Sequence, residues 1–330
     1  MTSTKNPLTQ TFSLLAAAVS GALLLSACNS SDDDLVGDDT ARFSLAVSDS
    51  PVDNADVVMV CFSGIELVGN GIGNQRYEIG NDAVTVEAND ECLDSDGNVI
   101  ANTRGVDLLT LQGANAESLI EEAQLPAGSY GQLRLDIVDG SYVSANGEQH
   151  PVRVPSDQLR LDGPTLSAGG NFTYTLEFDL RRALRNPPGQ PGYLLSPRGV
   201  RLVDNAQIGH LQGQVAEQLL LNNDCSVAPA NTNEPVAAVY LFAGSDLELS
   251  ELRGNSDGDD DPYASVAVRF DGVSEYPFEI GFIDQGEYFA ALTCETADDP
   301  EEESDLVFIQ GQNITISASE TTTVTFAEND

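Results

Sequence analysis

Apolar and polar residues alternate with a period of two over much of this chain. Phe172-Thr-Tyr-Thr-Leu-Glu-Phe178 alternates throughout, and so does Gln132-Leu-Arg-Leu-Asp-Ile137. Successive side chains of a strand point to opposite faces, so this pattern predicts strands with one face on a core. Val57-Val-Met-Val-Cys-Phe62 is apolar throughout, which predicts a central strand covered on both faces. Gly, Asn, Asp and Pro interrupt the runs at short intervals. Asn146-Gly147, between Tyr142-Val143 and Val152-Arg-Val154, predicts a hairpin turn. Helical spacing is confined to Ala116–Ala123, which Pro126 stops, and to Leu180–Leu184. The expected fold class is all-β, with two antiparallel β-sandwich domains, each packing two sheets over one core.

The first 40 residues follow a different pattern. Lys5 precedes an apolar run from Phe12 to Leu25, which is short and Ala-rich for a membrane span. The run ends in Leu25-Ser26-Ala27-Cys28, which closely resembles a bacterial lipobox. The resemblance implies that residues 1–27 are a lipoprotein signal peptide and that Cys28 carries the lipid. Asn29 in the next position then favours the outer membrane, on a side the sequence does not name. An ordinary secretory peptide with an incidental Cys is the plainer alternative. Residues 28–40 hold five Asp, whose mutual repulsion predicts a solvated tether.

Charge sharpens the picture. The chain carries 53 acidic and 14 basic residues, a formal net charge of −39. Lys5 is the only lysine, which leaves 13 arginines beyond the signal. Binding nucleic acid through clustered basic charge is therefore excluded. A hydrophobic content of 41% is enough for a core. Residues 41–204 hold 23 acids and 11 arginines, and residues 205–330 hold 25 acids and two. That contrast predicts a domain boundary near Asn205. Acid excess without lysine also suggests a halophilic or marine source, in which salt screens the self-repulsion.

Four cysteines remain after Cys28, an even count that suggests disulfides in an exported protein. Three pairings are open. Cys61–Cys92 with Cys225–Cys294 is preferred because each bond stays inside one proposed domain. Zinc is disfavoured, since no CxxC exists and neither His is close in sequence to a Cys.

One local pattern occurs twice. Leu125-Pro-Ala-Gly128-Ser-Tyr130 and Phe282-Ile-Asp-Gln-Gly286-Glu-Tyr288 each place a Gly before a strand that starts near a Tyr. Each Gly is expected to take the positive φ of a tight turn. The pattern is frequent in transthyretin-like and carboxypeptidase-regulatory-like sandwiches. Ser48-Asp-Ser-Pro-Val-Asp53, Val106-Asp-Leu-Leu109, the Leu125–Tyr130 turn, Val152-Arg-Val-Pro-Ser156 and Tyr193-Leu-Leu-Ser-Pro-Arg198 together resemble the domain of unknown function family 4382. That resemblance covers about residues 41–203 and implies an all-β domain of secreted or lipid-anchored bacterial proteins, with no assigned catalytic residues. Residues 205–330 are similar, more loosely, to the carboxypeptidase-regulatory-like group through Leu211-Gln-Gly-Gln-Val215, Ala238-Val-Tyr-Leu-Phe242 and the Gly286 turn. That likeness implies a spacer, binding or stabilising module and no peptidase activity.

Candidate chemistry is sparse. His150 and His210 are the only histidines. Asp94-Ser-Asp96-Gly97-Asn98 lacks the ligands of a full EF-hand loop and reads as an Asp-Gly turn. Asn255, Asp257, Asp259 and Asp261 form the better cation candidate, with oxygen ligands suited to Ca²⁺, although a solvated acidic loop is the simpler reading. Asp298–Glu303 reads as a solvated turn, and Gly69–Gly73 as a connection between strands. Asp49, Asp53 and Asp56 are read as turn caps. Arg181, Arg182, Arg185, Arg198 and Arg201 concentrate positive charge on an acidic chain. They suit either a bound carboxylate or phosphate or, as the preferred reading, docking against the more acidic second domain.

These observations favour a non-enzymatic, lipid-anchored cell-envelope protein that binds a glycan or an envelope protein or serves a structural role. The alternative is a carboxylate-dependent hydrolase, which would need facing carboxylates with perturbed pKa values in a cleft. A transporter's solute-binding subunit is disfavoured by the absence of alternating strand–helix units. The charge makes a first prediction. The melting temperature should rise between low salt and molar NaCl, measured by circular dichroism, and a flat response would contradict destabilising self-repulsion.

Overall fold

The computed structural model describes residues 39–50, 55–145, 147–187, 189–255, 262–297 and 306–328. The chain is all-β. Up to residue 204 it forms β1 (Thr40–Ser50), β2 (Val57–Gly69), β3 (Gln75–Glu78), β4 (Arg104–Asp107), β5 (Glu117–Pro126), β6 (Gly128–Ile137), β7 (Tyr142–Ala145), β8 (Glu148–Arg153), β9 (Gln158–Asp162), β10 (Thr165–Leu166), β11 (Asn171–Asp179), the short helix α1 (Leu180–Ala183), β12 (Leu184–Arg185), β13 (Tyr193–Leu195) and β14 (Val200–Asp204). The remainder forms β15 (Ile208–Val215), helix α2 (Glu217–Asn222), β16 (Pro235–Ala243), β17 (Ala264–Arg269), β18 (Pro277–Asp284), β19 (Gly286–Thr293), β20 (Phe308–Ile316) and β21 (Thr321–Phe326). Among the described residues, no helix is long and apolar enough to cross a membrane.

The sheets divide at residues 204–208. The first half stacks the sheet β14-β11-β1-β5 against a larger sheet centred on β2 and β6. Their facing side chains, including Phe43, Leu45, Phe62, Leu133, Leu176 and Phe178, form one core. The second half stacks β18-β15-β21 on β17-β16-β19-β20 around Leu211, Val239, Leu241, Ile280, Leu292 and Phe326. Each large apolar side chain sealed in this way contributes about 1.5–3 kcal/mol. Disulfides Cys61–Cys92 and Cys225–Cys294 each staple one half. Both halves belong to one compact unit spanning Val36–Asp330.

The halves share one wiring. Strands β1, β2, β4, β5, β6, β9 and β11 occupy the same order and pairings as β15 through β21. In each half the first strand pairs antiparallel with the fourth and parallel with the last. The remaining first-half strands are additions to this seven-strand plan. β8 and β13 make a further parallel pair. Period-two patterning fixes which face is buried and leaves strand direction open, so the parallel pairs are not foreseen from sequence.

The duplicated plan extends to details. In the fourth strand of each half a bulge holds a non-glycine residue at φ 49°, Glu122 in one and Phe282 in the other. Its N–H donates to the side chain opposite on the first strand: Glu122 N to Ser44 Oγ at 3.0 Å, and Phe282 N to His210 Nδ1 at 3.3 Å. After the turn, the hydroxyl of Tyr130 donates to Pro126 O and that of Tyr288 donates to Asp284 O, both at 2.9 Å. The twice-occurring Gly–x–Tyr sequence is thus one corner made twice. The glycines differ, however: Gly128 takes φ 146°, whereas Gly286 is not left-handed. Ala116–Ala123 is mostly strand β5, not helix. Pairing with β1 and burial of Leu119, Ile120 and Ala123 outweigh the local helical preference.

The corners generate a prediction. Tyr130→Phe and Tyr288→Phe should each lower unfolding free energy in urea by about 1 kcal/mol, the value of one lost hydrogen bond. The double variant should lose the sum, since the sites lie in different halves.

Candidate functional site

Strand β11 points Thr175, Glu177 and Asp179 to the face opposite Leu176 and Phe178. Alternation alone would send these polar side chains to water. Thr175 and Glu177 are instead fully buried, and Asp179 is 2% exposed. The cover is the second sandwich, because β1 packs against β17 and β18, and β14 against β18. At the end of β1, Asp49 is in register with Phe178 and is 1% exposed. It therefore faces the first core.

Burial disfavours the charged form of each carboxyl. It pushes Glu177 up to about 8, with Asp179 adding to the effect while Arg201 and the Ser48 hydroxyl oppose it. Asp49 is raised well above the carboxylate range by burial and then by Glu177, Asp179 and Asp107. Asp179 is raised by burial against the pull of Arg201, Arg181, Arg182 and the Ser265 backbone. The Asp49 carboxylate oxygens accept no hydrogen bond. The turn-capping role expected for Asp49 is therefore not observed. The Ser48 hydroxyl is engaged by the carbonyls of Leu111 and Asn115, at 3.1 and 2.7 Å.

Arg181, Arg182 and Arg201 reach from the first half to described residues of the second. Arg181 Nη2 donates to the Tyr240 hydroxyl and to Thr296 O, both at 3.1 Å, and its guanidinium lies 5.5 Å from the Tyr240 ring centre. Arg182 Nη1 donates to Pro262 O at 3.3 Å. Arg201 Nη1 donates to Tyr263 O at 3.2 Å, and its guanidinium lies 4.1 Å from the centre of the Tyr263 ring. Tyr263 is itself fixed by Asp284, whose N–H donates to the phenol oxygen at 2.9 Å. Arg185 is half-buried and Arg198 is exposed. The rest of the junction is tight. Val203, Ile208 and Phe282 form a small apolar cluster. Ala114 N donates to Glu279 Oε1 at 3.2 Å. A Cβ on Gly281 would strike the carbonyl oxygen of Gly113.

A cleft of about 440 Å³ includes Arg160, Asp162 and Arg201, and two larger ones open at the surface. One, of about 740 Å³, lies beside β17 and β18 and includes Gln112, Gln212, Gln214, Glu279, Thr323 and Thr325. Its amides and hydroxyls both donate and accept hydrogen bonds. The other, of about 810 Å³, has an apolar floor including Ile137, Val152 and Leu194, with Asp94, Asp139, Arg153 and Asp157 among its polar residues. Neither is lined by Asp49, Glu177 or Asp179.

The other sequence candidates are placed as follows. Asp94 accepts from the N–H groups of Asp96 and Asn98, which makes a turn. Asn255 is buried and donates to Ser265 Oγ at 3.3 Å. Asp257, Asp259 and Asp261 lie outside the described residues, as do Cys28, Asp53 and Asp298–Glu303. Among the described residues no group of three His, Cys, Asp or Glu is arranged to hold a metal. His150 stacks edge-on with Tyr193, and His210 accepts a backbone N–H while packing on Phe282. The buried carboxylates were missed in the sequence because nothing local marks Glu177 or Asp179 as covered. The nearby arginine cluster was the available signal.

Residues 40–197 match the family described as Domain of unknown function (DUF4382). The match ends shortly before β14 and covers just under half of the chain. No curated protein matches. Among solved structures, the TIE protein of Bacillus anthracis is 10% identical at a TM-score of 0.18, covering 87% of this chain and 33% of that one. GBS52, the minor pilin of Streptococcus agalactiae, is 10% identical at 0.16, covering 86% and 94%. A Parabacteroides distasonis protein described as a cell adhesion protein is 11% identical at 0.16, covering 87% and 92%. Overlaps this shallow carry nothing over to this chain.

Two predictions follow from the geometry. Gly281→Ala should cost about 1–3 kcal/mol in urea unfolding, because the added methyl meets backbone that cannot yield cheaply. Asp49→Asn should change how stability depends on pH. A raised folded-state pKa gives stability that is complete below the unfolded carboxylate range and is lost as pH rises through the folded value. The wild type should therefore weaken relative to the Asn variant between pH 4 and alkaline pH, measured by urea midpoints across that range.

Proposed function

We propose that this protein is a non-enzymatic, lipid-anchored component of the bacterial cell envelope, tethered at the outer membrane through Cys28 and serving a binding or structural role. The observation that carries this reading is the position of the perturbed carboxylates. Among the described residues, the carboxyls that burial raises are Asp49, Glu177 and Asp179, and they are closed away from solvent within and between the sandwiches. A hydrolytic carboxylate pair must meet its substrate, and these lie in neither cleft. The cleft beside β17 and β18 is the binding surface in this reading. Gln212 and Gln214 are exposed there, near Thr323 and Thr325. Paired donors and acceptors of this kind suit the hydroxyls of a neutral glycan.

The anchor and the binding surface are tested separately. Cys28→Ser should move the protein from the membrane pellet to the soluble envelope fraction, and retention in the pellet would contradict lipid anchoring. On a glycan array the wild type should bind a neutral saccharide class, with Gln212→Ala/Gln214→Ala weakening binding at least tenfold. Binding that survives this double variant would place the surface elsewhere.

A further inference from the structure

Glu177 has an environment that makes sense only while the two sandwiches are together. Its own strand brings Asp179. From β1 comes Ser48, whose hydroxyl is held by Leu111 and Asn115, and behind the sheet lies Asp49. β14 brings Arg201, in register beside it, but that guanidinium reaches across to the carbonyl and ring of Tyr263. α1 brings Arg181 and Arg182, which extend to Tyr240, Thr296 and Pro262 in the second half. β17 brings the Ser265 backbone toward Asp179. β18 brings Glu279 and Asp284, which bond Ala114 and Tyr263. Within this ring Glu177 is fully buried, with the Arg201 guanidinium and the Ser48 hydroxyl as the groups that favour its charged form.

We propose that the junction is a proton-controlled latch: the second sandwich stays seated on the first while Glu177 holds its proton, and unseats when alkali removes it. A neutral carboxylic acid tolerates burial at small cost, whereas a buried carboxylate whose desolvation outweighs its compensating partners does not. Unseating hydrates Glu177 and leaves each sandwich with its own core and its own disulfide. Asp49 faces the inside of the first sandwich, so unseating does not relieve it and its effect falls on global stability. Asp179 faces the junction and acts in the same direction as Glu177. The sign follows from linkage. The seated form binds the proton more tightly, so seating is strongest in acid. From the ordinary glutamate range up to about 8, each pH unit raises the ratio of unseated to seated molecules by up to tenfold, and above that the ratio levels off.

The test uses the full chain in molar NaCl, which screens general repulsion. Small-angle scattering reads the radius of gyration from pH 5 to pH 10, and far-ultraviolet circular dichroism checks that both sandwiches remain folded. The wild type should expand with a midpoint near or above pH 7 while its β signal persists, and Glu177→Gln should stay compact throughout. A constant wild-type radius up to pH 10 overturns the proposal, and so does equal expansion in both proteins. If the Gln variant fails to fold, carbon-13 carboxyl titration of the wild type decides instead. One glutamate titrating together with the expansion supports the latch, and expansion without such a glutamate overturns it.

Discussion

A buried, charged seam between two sandwiches is the constraint around which this molecule is arranged. Glu177 and Asp179 leave β11 on its outer face, and the second sandwich closes over them. Moving carboxyl groups out of water is costly, and the cost is limited by neutralising them or surrounding them with cations and dipoles. The chain does both. Burial raises the carboxyl pKa values, and Arg181, Arg182 and Arg201 cross the same seam to fixed oxygens of the second half. The arginines therefore concentrate where the acidic chain needs them to hold its halves together.

Duplication explains why the seam has this form. Both halves follow one seven-strand plan, with an N–H at a bulge bonded to a side chain of the first strand and a Tyr hydroxyl bonded four residues back. In the second half the bulge residue is Phe282, and it packs with Val203 and Ile208 at the junction. In the first half the corresponding residue is Glu122, which is exposed. The same local device thus supplies an apolar contact in one copy and a solvent-facing charge in the other. Gly281 beside it allows the loop at Gly113 to approach where any side chain would obstruct it.

Much of this was legible in the sequence. Period-two runs gave the strands at Gln132–Ile137 and Phe172–Phe178, and the apolar run at Val57–Phe62 became the first part of the central strand β2. The repeated Tyr corner was visible as a repeated string. What was not legible depended on contacts distant in sequence. Segment 116–123 carries weak helical spacing, and only its pairing with β1 makes it a strand. Glu177 reads as an outward polar position because alternation distinguishes two faces and cannot say that another sandwich covers the second. Asp49 reads as a turn cap because its type and neighbours suit one, yet its carboxylate points into the core. The arginine contacts across the seam follow from the same long-range packing.

The central claim is that the buried seam makes two sandwiches one cooperative body. Urea unfolding at pH 6 tests it directly, with hydrogen exchange monitored by mass spectrometry to follow each half separately. The account predicts that peptides from β1–β11 and from β15–β21 lose protection at one shared midpoint, and that Arg181→Ala/Arg201→Ala separates the two. Halves that already unfold at distinct midpoints in the wild type would contradict it.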